Sequence, residues 1–303
     1  MPPRQSPDGL LLVDKPAGVT SHDVVNAARR VLGEKRIGHG GTLDPFATGL
    51  LVLLVGRATR LLRWVHDEPK LYEAVVRFGA ETDTEDLAGA VTREAPLPTR
   101  DALLAAVPAF LGEIDQVPPA YSAKRVAGRR AYELARDGHE VSLKPARVRI
   151  DDLTLHSWEG SADAVSACCL RVTCGGGTYV RSLARDLARA AGSAAHLTAL
   201  RRQSAGVFSL ARSIPLQRML NGAPVTLAPA IDALEGYPHQ ALTDEEVAKV
   251  VRGIDVEARV DGAFAALLDT SPNASEGTLV AFAERRPSER GERWQPRVVM
   301  RDG

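Results

Sequence analysis

The sequence predicts an α+β protein in two parts, and three observations carry that reading. The 303 residues exceed the roughly 150 that one domain usually takes. Strand-like apolar runs and amphipathic helical stretches follow one another without the regular βαβ alternation of a doubly wound sheet. After about residue 235 the texture changes. One short acidic helix precedes short strand-like pieces, as in a small β-rich C-terminal domain.

Residues 1–8 are polar and Pro-rich and read as a disordered leader. Residues 9–13 (GLLLV) form a short apolar run ending in Asp14-Lys15-Pro16, a buried strand entering a turn. Thr20 or Ser21 caps a helix that carries Val24, Ala27, Ala28, Val31 and Leu32 on one face, and Gly33 ends it. A glycine-rich loop over 38–45 leads to a second buried strand over 50–55, and 57–66 make a short amphipathic helix. Residues 72–79 read as a strand, paired with another near 90–94 across a loop rich in Asp and Thr. Thr99 caps a helix over 100–111, and Pro118-Pro119 breaks the chain. Residues 121–146 are basic and punctuated by glycine, with one helix around 130–137. Residues 147–158 and 164–174 alternate as strands do. The triple glycine 175–177 precedes an Arg-rich helix over 178–191, and 196–203 and 207–212 read as two more strands. In the C-terminal part the helix spans 243–251, with strand-like pieces over 263–268 and 278–282.

Hydrophobic residues at 45% and charged residues at 25% exclude disorder, collagen or coiled coil for the whole chain. Lys+Arg and Asp+Glu are both 38, so the formal net charge is zero. The distribution is uneven. Residues 15–63, 121–149 and 178–218 together hold 23 of the basic and 7 of the acidic residues, a local +16 against −16 elsewhere. A single polyanion-facing surface fits this, and so does chance clustering on solvated faces. Cys168, Cys169 and Cys174 lack both CxxC and Cys/His spacing, so apolar thiols in a reducing compartment are expected rather than zinc ligands or a disulfide framework. No signal-peptide core is visible. The longest apolar run, Leu50 to Val55, is too short to span a bilayer, which points to a cytoplasmic protein with no membrane partner.

The most informative segment is GHGGTLDPFATGL, residues 38–50. Glycines admit close approach and unusual backbone angles, and Pro45 fixes φ, so Asp44 stands on a stiff loop suited to a cleft. An Asx-type turn, with Asp44 capping local backbone, explains the same residues. Arg181, just after the triple glycine, suits a guanidinium that holds a carboxylate ionised, or a plain surface arginine. Tyr72 opens a strand-like segment and suits stacking or proton exchange, or a place in a core. The triple glycine suits a phosphate cradle but lacks P-loop and dinucleotide spacing. Asp83-Thr84-Glu85-Asp86 lacks EF-hand spacing. A metal-dependent phosphatase with Asp14 as nucleophile is a rival, weakened because Pro16 stands where a second aspartate would be needed.

GLLLVDKPAGVTS (9–21), GHGGTLDPFATGL (38–50), Tyr72 with TDTEDLAG (82–89), and GTYVRSLARDL (177–187), in that order, resemble the bacterial tRNA pseudouridine-55 synthases of the TruB family. The resemblance runs from about Gly9 to about Ala211. It implies a catalytic domain over 9–235, built around a mixed, mainly antiparallel sheet. It also implies an inserted RNA-gripping segment over about 122–141 and a small PUA-like RNA-binding domain over 236–303. The implied reaction isomerises uridine in the T-loop of tRNA, without metal or other cofactor, after flipping the base out of its stack. Under that resemblance Asp44 is the essential aspartate, Arg181 the arginine that pairs with it, and Tyr72 the tyrosine that stacks on uracil and moves a proton. His39 stacks in the T-loop, Lys15 is structural or contacts RNA, and Arg60 contacts RNA. Tyr179 and Leu200 line the uracil pocket, while Lys124, Arg125, Arg129 and Arg130 grip the RNA backbone. The expected partner is the T stem-loop of tRNA, bound by a monomer. The alternative on the same scaffold is a non-catalytic RNA-binding or tRNA-folding protein, and Asp44 discriminates, because a pure binder has no need of a carboxylate facing a polyanion.

Overall fold

The computed structural model describes residues 8–122, 124–126, 128–137, 139, 143–271, 277–289 and 291–301, with the backbone alone for 125, 126, 130 and 136. Residues 1–7 of the expected leader lie outside this set. Asp8 is inside it and accepts a hydrogen bond from the Arg57 backbone N–H at 2.6 Å.

The apolar run at the start becomes β1 (Gly9–Lys15), and Thr20 caps α1 (Ser21–Leu32) through a capping box with Asp23. Gly33 ends α1 in the left-handed region. The glycine-rich segment is only half a loop. Residues 37–40 form β2 (Ile37–Gly40), which pairs antiparallel with β3 (Thr48–Val55). The short helix expected over 57–66 is a 3-10 helix, Gly56–Trp64. β4 (Lys70–Phe78) does not pair with the strand near 90. Gly79, at φ +99°, turns the chain out of β4, and β5 (Ala80–Thr82) pairs with β6 (Val91–Glu94) instead.

α2 (Arg100–Ala106) ends in a 3-10 turn, and β7 (Gly112–Gln116) follows, a strand the sequence pattern did not announce. In the basic segment β8 (Arg125–Val126) pairs with β9 (Arg129–Arg130) before α3 (Ala131–Arg136). β10 (Ala146–Ser161) and β11 (Ala164–Cys174) form a long hairpin, and α4 (Val180–Ala190) leads to β12 (Ala195–Ala205). The expected strand over 207–212 is only β13 (Phe208–Ser209) and a 3-10 turn, followed by β14 (Ile214–Pro215) and α5 (Leu216–Leu220). The C-terminal part comprises β15 (His239–Leu242), α6 (Asp244–Val251), β16 (Val256–Glu257), β17 (Phe264–Asp269), β18 (Thr278–Ser288) and β19 (Gly291–Val299).

The main sheet has the order β14-β1-β3-β12-β4-β11-β10-β7, with β2 paired to β3 and β13 to β12 off that path. It is mixed but mainly antiparallel, since only β1/β14 and β12/β3 run parallel. A second sheet has the order β15-β17-β18-β19-β16. β3 is buried on both faces, which explains why residues 50–55 read as an unbroken apolar run rather than an alternating one. One face packs on α1 and α5, and the other on residues of the second sheet. β4, β11 and β12 alternate, with one face packed against α4. The parallel contact of β3 with β12 is short, at Thr48 and Gly49. At Gly49 (φ +100°) a Cβ would lie 2.3 Å from the Arg202 carbonyl oxygen, so the two strands meet only because that residue is glycine. The start of β3 carries the loop that contains Asp44.

Candidate active site

The chain leaves β2 at Gly41 (φ +72°) and re-enters the sheet at Thr48. The loop between them is fixed from below by the turn after β1 and the first residue of α1. Ser21 Oγ accepts from the Leu43 N–H at 2.9 Å and donates to the Leu43 carbonyl at 3.0 Å. The Pro45 carbonyl accepts from the Gly18 N–H at 2.8 Å and from Lys15 Nζ at 3.2 Å. The Ala47 N–H donates to the Asp44 carbonyl at 3.1 Å, and Leu43 is buried. So held, the Asp44 side chain stays 34% exposed.

Lys15 corrects half of its expected role. It is 0% exposed, and its ammonium donates to the carbonyls of Pro16, Val19 and Pro45. Two donors serve the turn after β1 and the third serves the Asp44 loop, and none is left for RNA. Burial pulls its pKa down to about 8, with Asp44 and Asp23 opposing.

Arg181 reaches Asp44 from the first turn of α4. It is 3% exposed, and its Nε stands 2.9 Å from Asp44 Oδ2, an ion pair in which the N–H is not aligned on the oxygen. Nη1 donates to the Thr84 carbonyl at 2.7 Å and Nη2 to the Tyr121 carbonyl at 3.0 Å. Two backbone carbonyls therefore fix the guanidinium plane while its charge faces the carboxylate. The segment entering α4 is positioned by Gln116, which sequence reasoning missed. Its side chain accepts from the Tyr179 N–H at 2.8 Å and donates to the Tyr179 carbonyl at 3.1 Å. The Tyr179 phenol is half-buried, and burial raises its pKa.

The Thr84 carbonyl belongs to the acidic loop 82–89, whose carboxylates are occupied internally. Glu85, at φ +60°, accepts from Ser182 Oγ at 2.8 Å and pairs with Arg185. Burial raises the Glu85 pKa, and Arg185 and Ser182 oppose it. Asp86 accepts from Thr84 Oγ1 and the Ala88 N–H, and Asp83 from the Ala90 N–H. Among the described residues no group of three His, Cys, Asp or Glu is arranged to hold a metal ion.

Tyr72 is buried on β4, facing α4, and its pKa is raised by burial while Arg202 pulls it down. Leu200 is buried in the same cluster. His39 lies on β2, and its buried Nδ1 has no partner among the described residues. Burial and the Arg202 charge lower the His39 pKa. A groove of about 680 Å³ lies beside the loop, lined by Pro45, Phe46, Thr48, Leu87, Ala88 and Leu200 among others. Burial pushes the Cys168 thiol up to about 12 and Cys174 up to about 11, so neither is a nucleophile at neutral pH.

The remaining candidates stand apart from this group. Arg60, expected to contact RNA, lies exposed on the 3-10 segment and donates from Nη1 to the Val299 carbonyl of β19 at 3.2 Å. Lys124 is exposed, and Arg129 pairs with Asp137 at 2.6 Å. The side chains of Arg125 and Arg130 lie outside the described residues. Asp14, the rival nucleophile, pairs with Arg201 at 2.7 Å in a separate 460 Å³ depression.

An aspartate on a braced loop, faced by a buried arginine and set in a mixed, mainly antiparallel sheet, is what the motifs lead one to expect of a pseudouridine synthase, and fold and site together define that class. Residues 29–180 match the N-terminal domain of the TruB family of pseudouridylate synthases. The chain is 45% identical over 253 residues to tRNA pseudouridine synthase B of Gluconacetobacter diazotrophicus, covering 81% of each chain. It is 39% identical over 296 residues to the protein of that name from Mycobacteroides abscessus, covering 97% of this chain and 96% of that one. The fold matches a chain of the H/ACA RNP bound to a substrate RNA containing 2′-deoxyuridine. The TM-score is 0.69 at 22% identity, covering 97% of this chain and 85% of that one. The chain belongs to the TruB family of pseudouridylate synthases.

Proposed function

We propose that this protein isomerises uridine to pseudouridine in the T-loop of tRNA, at uridine-55, with Asp44 acting on the bond between ribose and uracil. The observation that carries this reading is the Asp44–Arg181 pair, one partner 34% exposed and the other 3%. A carboxylate left open beside a polyanion's path and paired with a buried, fixed cation suits chemistry better than simple RNA binding. The C1′–N1 bond breaks, the uracil turns, and a C1′–C5 bond forms. The C5 proton is lost and N1 gains one, so the product has the atoms of the substrate. Tyr72 stacks on the uracil and serves the proton transfer, and Tyr179 and Leu200 bound its pocket. His39 stacks in the opened T-loop. Unstacking the base costs a few kcal/mol, offset by backbone contacts from Lys124, Arg125, Arg129 and Arg130. Residues 236–303 serve as a PUA-like RNA-binding module, and the enzyme acts as a cytoplasmic monomer.

The test is incubation with unmodified tRNA, followed by mapping pseudouridine by position. Asp44→Asn is expected to lower activity by more than about a thousandfold while RNA binding survives. Asp44→Asn activity within about tenfold of the parent would remove the catalytic role. Product at a position outside the T-loop would redirect the specificity. Binding without any product from the parent enzyme would favour the RNA-folding alternative.

A further inference from the structure

One large charged side chain beneath the site has no role in the scheme above. Arg202 on β12 is 1% exposed, and no ion pair to it is found among the described residues. A guanidinium taken out of water needs its donors satisfied. Here they go to main-chain oxygens on both flanks of the Asp44 loop. Nη2 donates to the Gly41 carbonyl at 3.1 Å, where the loop leaves β2, and Nε donates to the Leu50 carbonyl at 2.7 Å, just after it enters β3. Nη1 lies 3.3 Å from where a Gly41 Cβ would be, so the glycine admits the guanidinium this close. Arg202 is also the cross-strand partner of Tyr72, on the same face of the sheet. A register shift between Arg202 and Ser204 marks an irregularity in β12 there.

We propose that Arg202 is a positioning residue of this active site: one buried guanidinium that closes the Asp44 loop at both ends and orients the Tyr72 phenol. The proposal rests on the reading of Asp44 given above. A lysine cannot replace the arginine, because its N–H groups all radiate from one atom, whereas Arg202 reaches Leu50 and Gly41 from two separate nitrogens, Nε and Nη2. Arg202 faces Tyr72 across the two strands, and its charge pulls the phenol's pKa down against the rise that burial causes. Cys174 and Asp67 favour the neutral phenol, and Arg202 favours the ionised form.

The experiment compares Arg202→Lys, Arg202→Gln and Asp44→Asn in the full-length enzyme on unmodified tRNA. Thermal unfolding reports on folding, and kcat and KM are measured across pH. Arg202→Lys is expected to lower kcat by at least about tenfold with KM within about threefold. Arg202→Gln is expected to lower kcat further and to move the limb of the kcat profile that reports Tyr72 to higher pH. That movement should vanish in a Tyr72→Phe background. A merely structural role would change stability without moving the limb. A folded Arg202→Gln enzyme with kcat within about threefold of the parent, or with the limb unmoved, overturns the proposal. If Arg202→Gln does not fold, Arg202→Lys decides, and kcat within about threefold of the parent overturns it. An inactive Asp44→Asn beside an unimpaired Arg202→Lys sinks this proposal alone. An active Asp44→Asn sinks the reading of Asp44 and the proposal with it.

Discussion

Burial decides what each charged residue does here, and Lys15 is the clearest case. Its folded pKa of about 8 lies below the 10.5 of an ordinary lysine. Between those values the unfolded chain binds more protons than the folded one, so this contribution makes stability rise with pH across that window. Below about pH 8 the cost of burying the cation is fully present. The full span corresponds to about 3 kcal/mol. In Lys15→Met, denaturant midpoints between pH 8 and 10 are expected to lose this rise. Profiles parallel to the parent's would show that Lys15 does not titrate there. The same variant removes the donor to the Pro16 and Val19 carbonyls and one of two donors to Pro45, so its kcat should fall as the loop loosens. Arg201 and Arg202 teach a related lesson. They are adjacent in sequence and opposite in fate. The pleat sends Arg201 to Asp14 and buries Arg202 under Gly41.

At the scale of elements, the Arg-rich helix α4 explains part of the apparent basic surface. Arg181, Arg185 and Arg189 look like an RNA-facing stripe in sequence. In the fold Arg185 meets Glu85, and Arg189 meets Glu81 at 2.8 Å, with Arg93 sharing Glu81 at 2.7 Å. Glu81 of β5 and Glu85 of the loop 82–89 are thus counter-charges of α4, and through the Thr84 carbonyl the loop also holds Arg181. Glu85→Gln removes one charge from a buried pair. Arg185 keeps Asp186 as a partner at 2.7 Å, so the expected loss of stability is about 2 kcal/mol, less than the roughly 3–5 kcal/mol of a buried pair broken outright. A urea titration measures it. kcat should fall as well, because the Glu85 anchor on Ser182 also fixes the loop that orients Arg181. Unchanged midpoint and unchanged kcat would show that the loop is held without Glu85.

For the whole molecule, the two sheets share one hydrophobic cluster. Leu10, Leu12, Leu50, Val52 and Leu54 from the main sheet pack in it with Ala266, Leu279, Phe282 and Val298 from the second. Trp64 meets Phe282 edge-on at 5.1 Å between ring centroids, and Tyr237 meets it at 4.8 Å. A chain ending at residue 235 would expose this surface. It is expected to be insoluble, or to melt at least about 10 °C below the full chain. An equal Tm would make the C-terminal part an independent module. Local sequence determined the elements whose signals are short in range: β1 and β3 as apolar runs, the Thr20 and Thr99 caps, and Gly33 as the stop of α1. It also placed Asp44, Tyr72 and Arg181 in motifs whose order resembles one family. Only the tertiary structure decided which charges are free to act. Lys15 and Arg202 are buried under the loop, Gln116 holds Tyr179, and β5 rather than β4 pairs with β6. These relations join residues distant in the chain. Hydrogen bonds and desolvation are set by what the fold brings within a few ångströms, and a linear pattern carries no record of that distance.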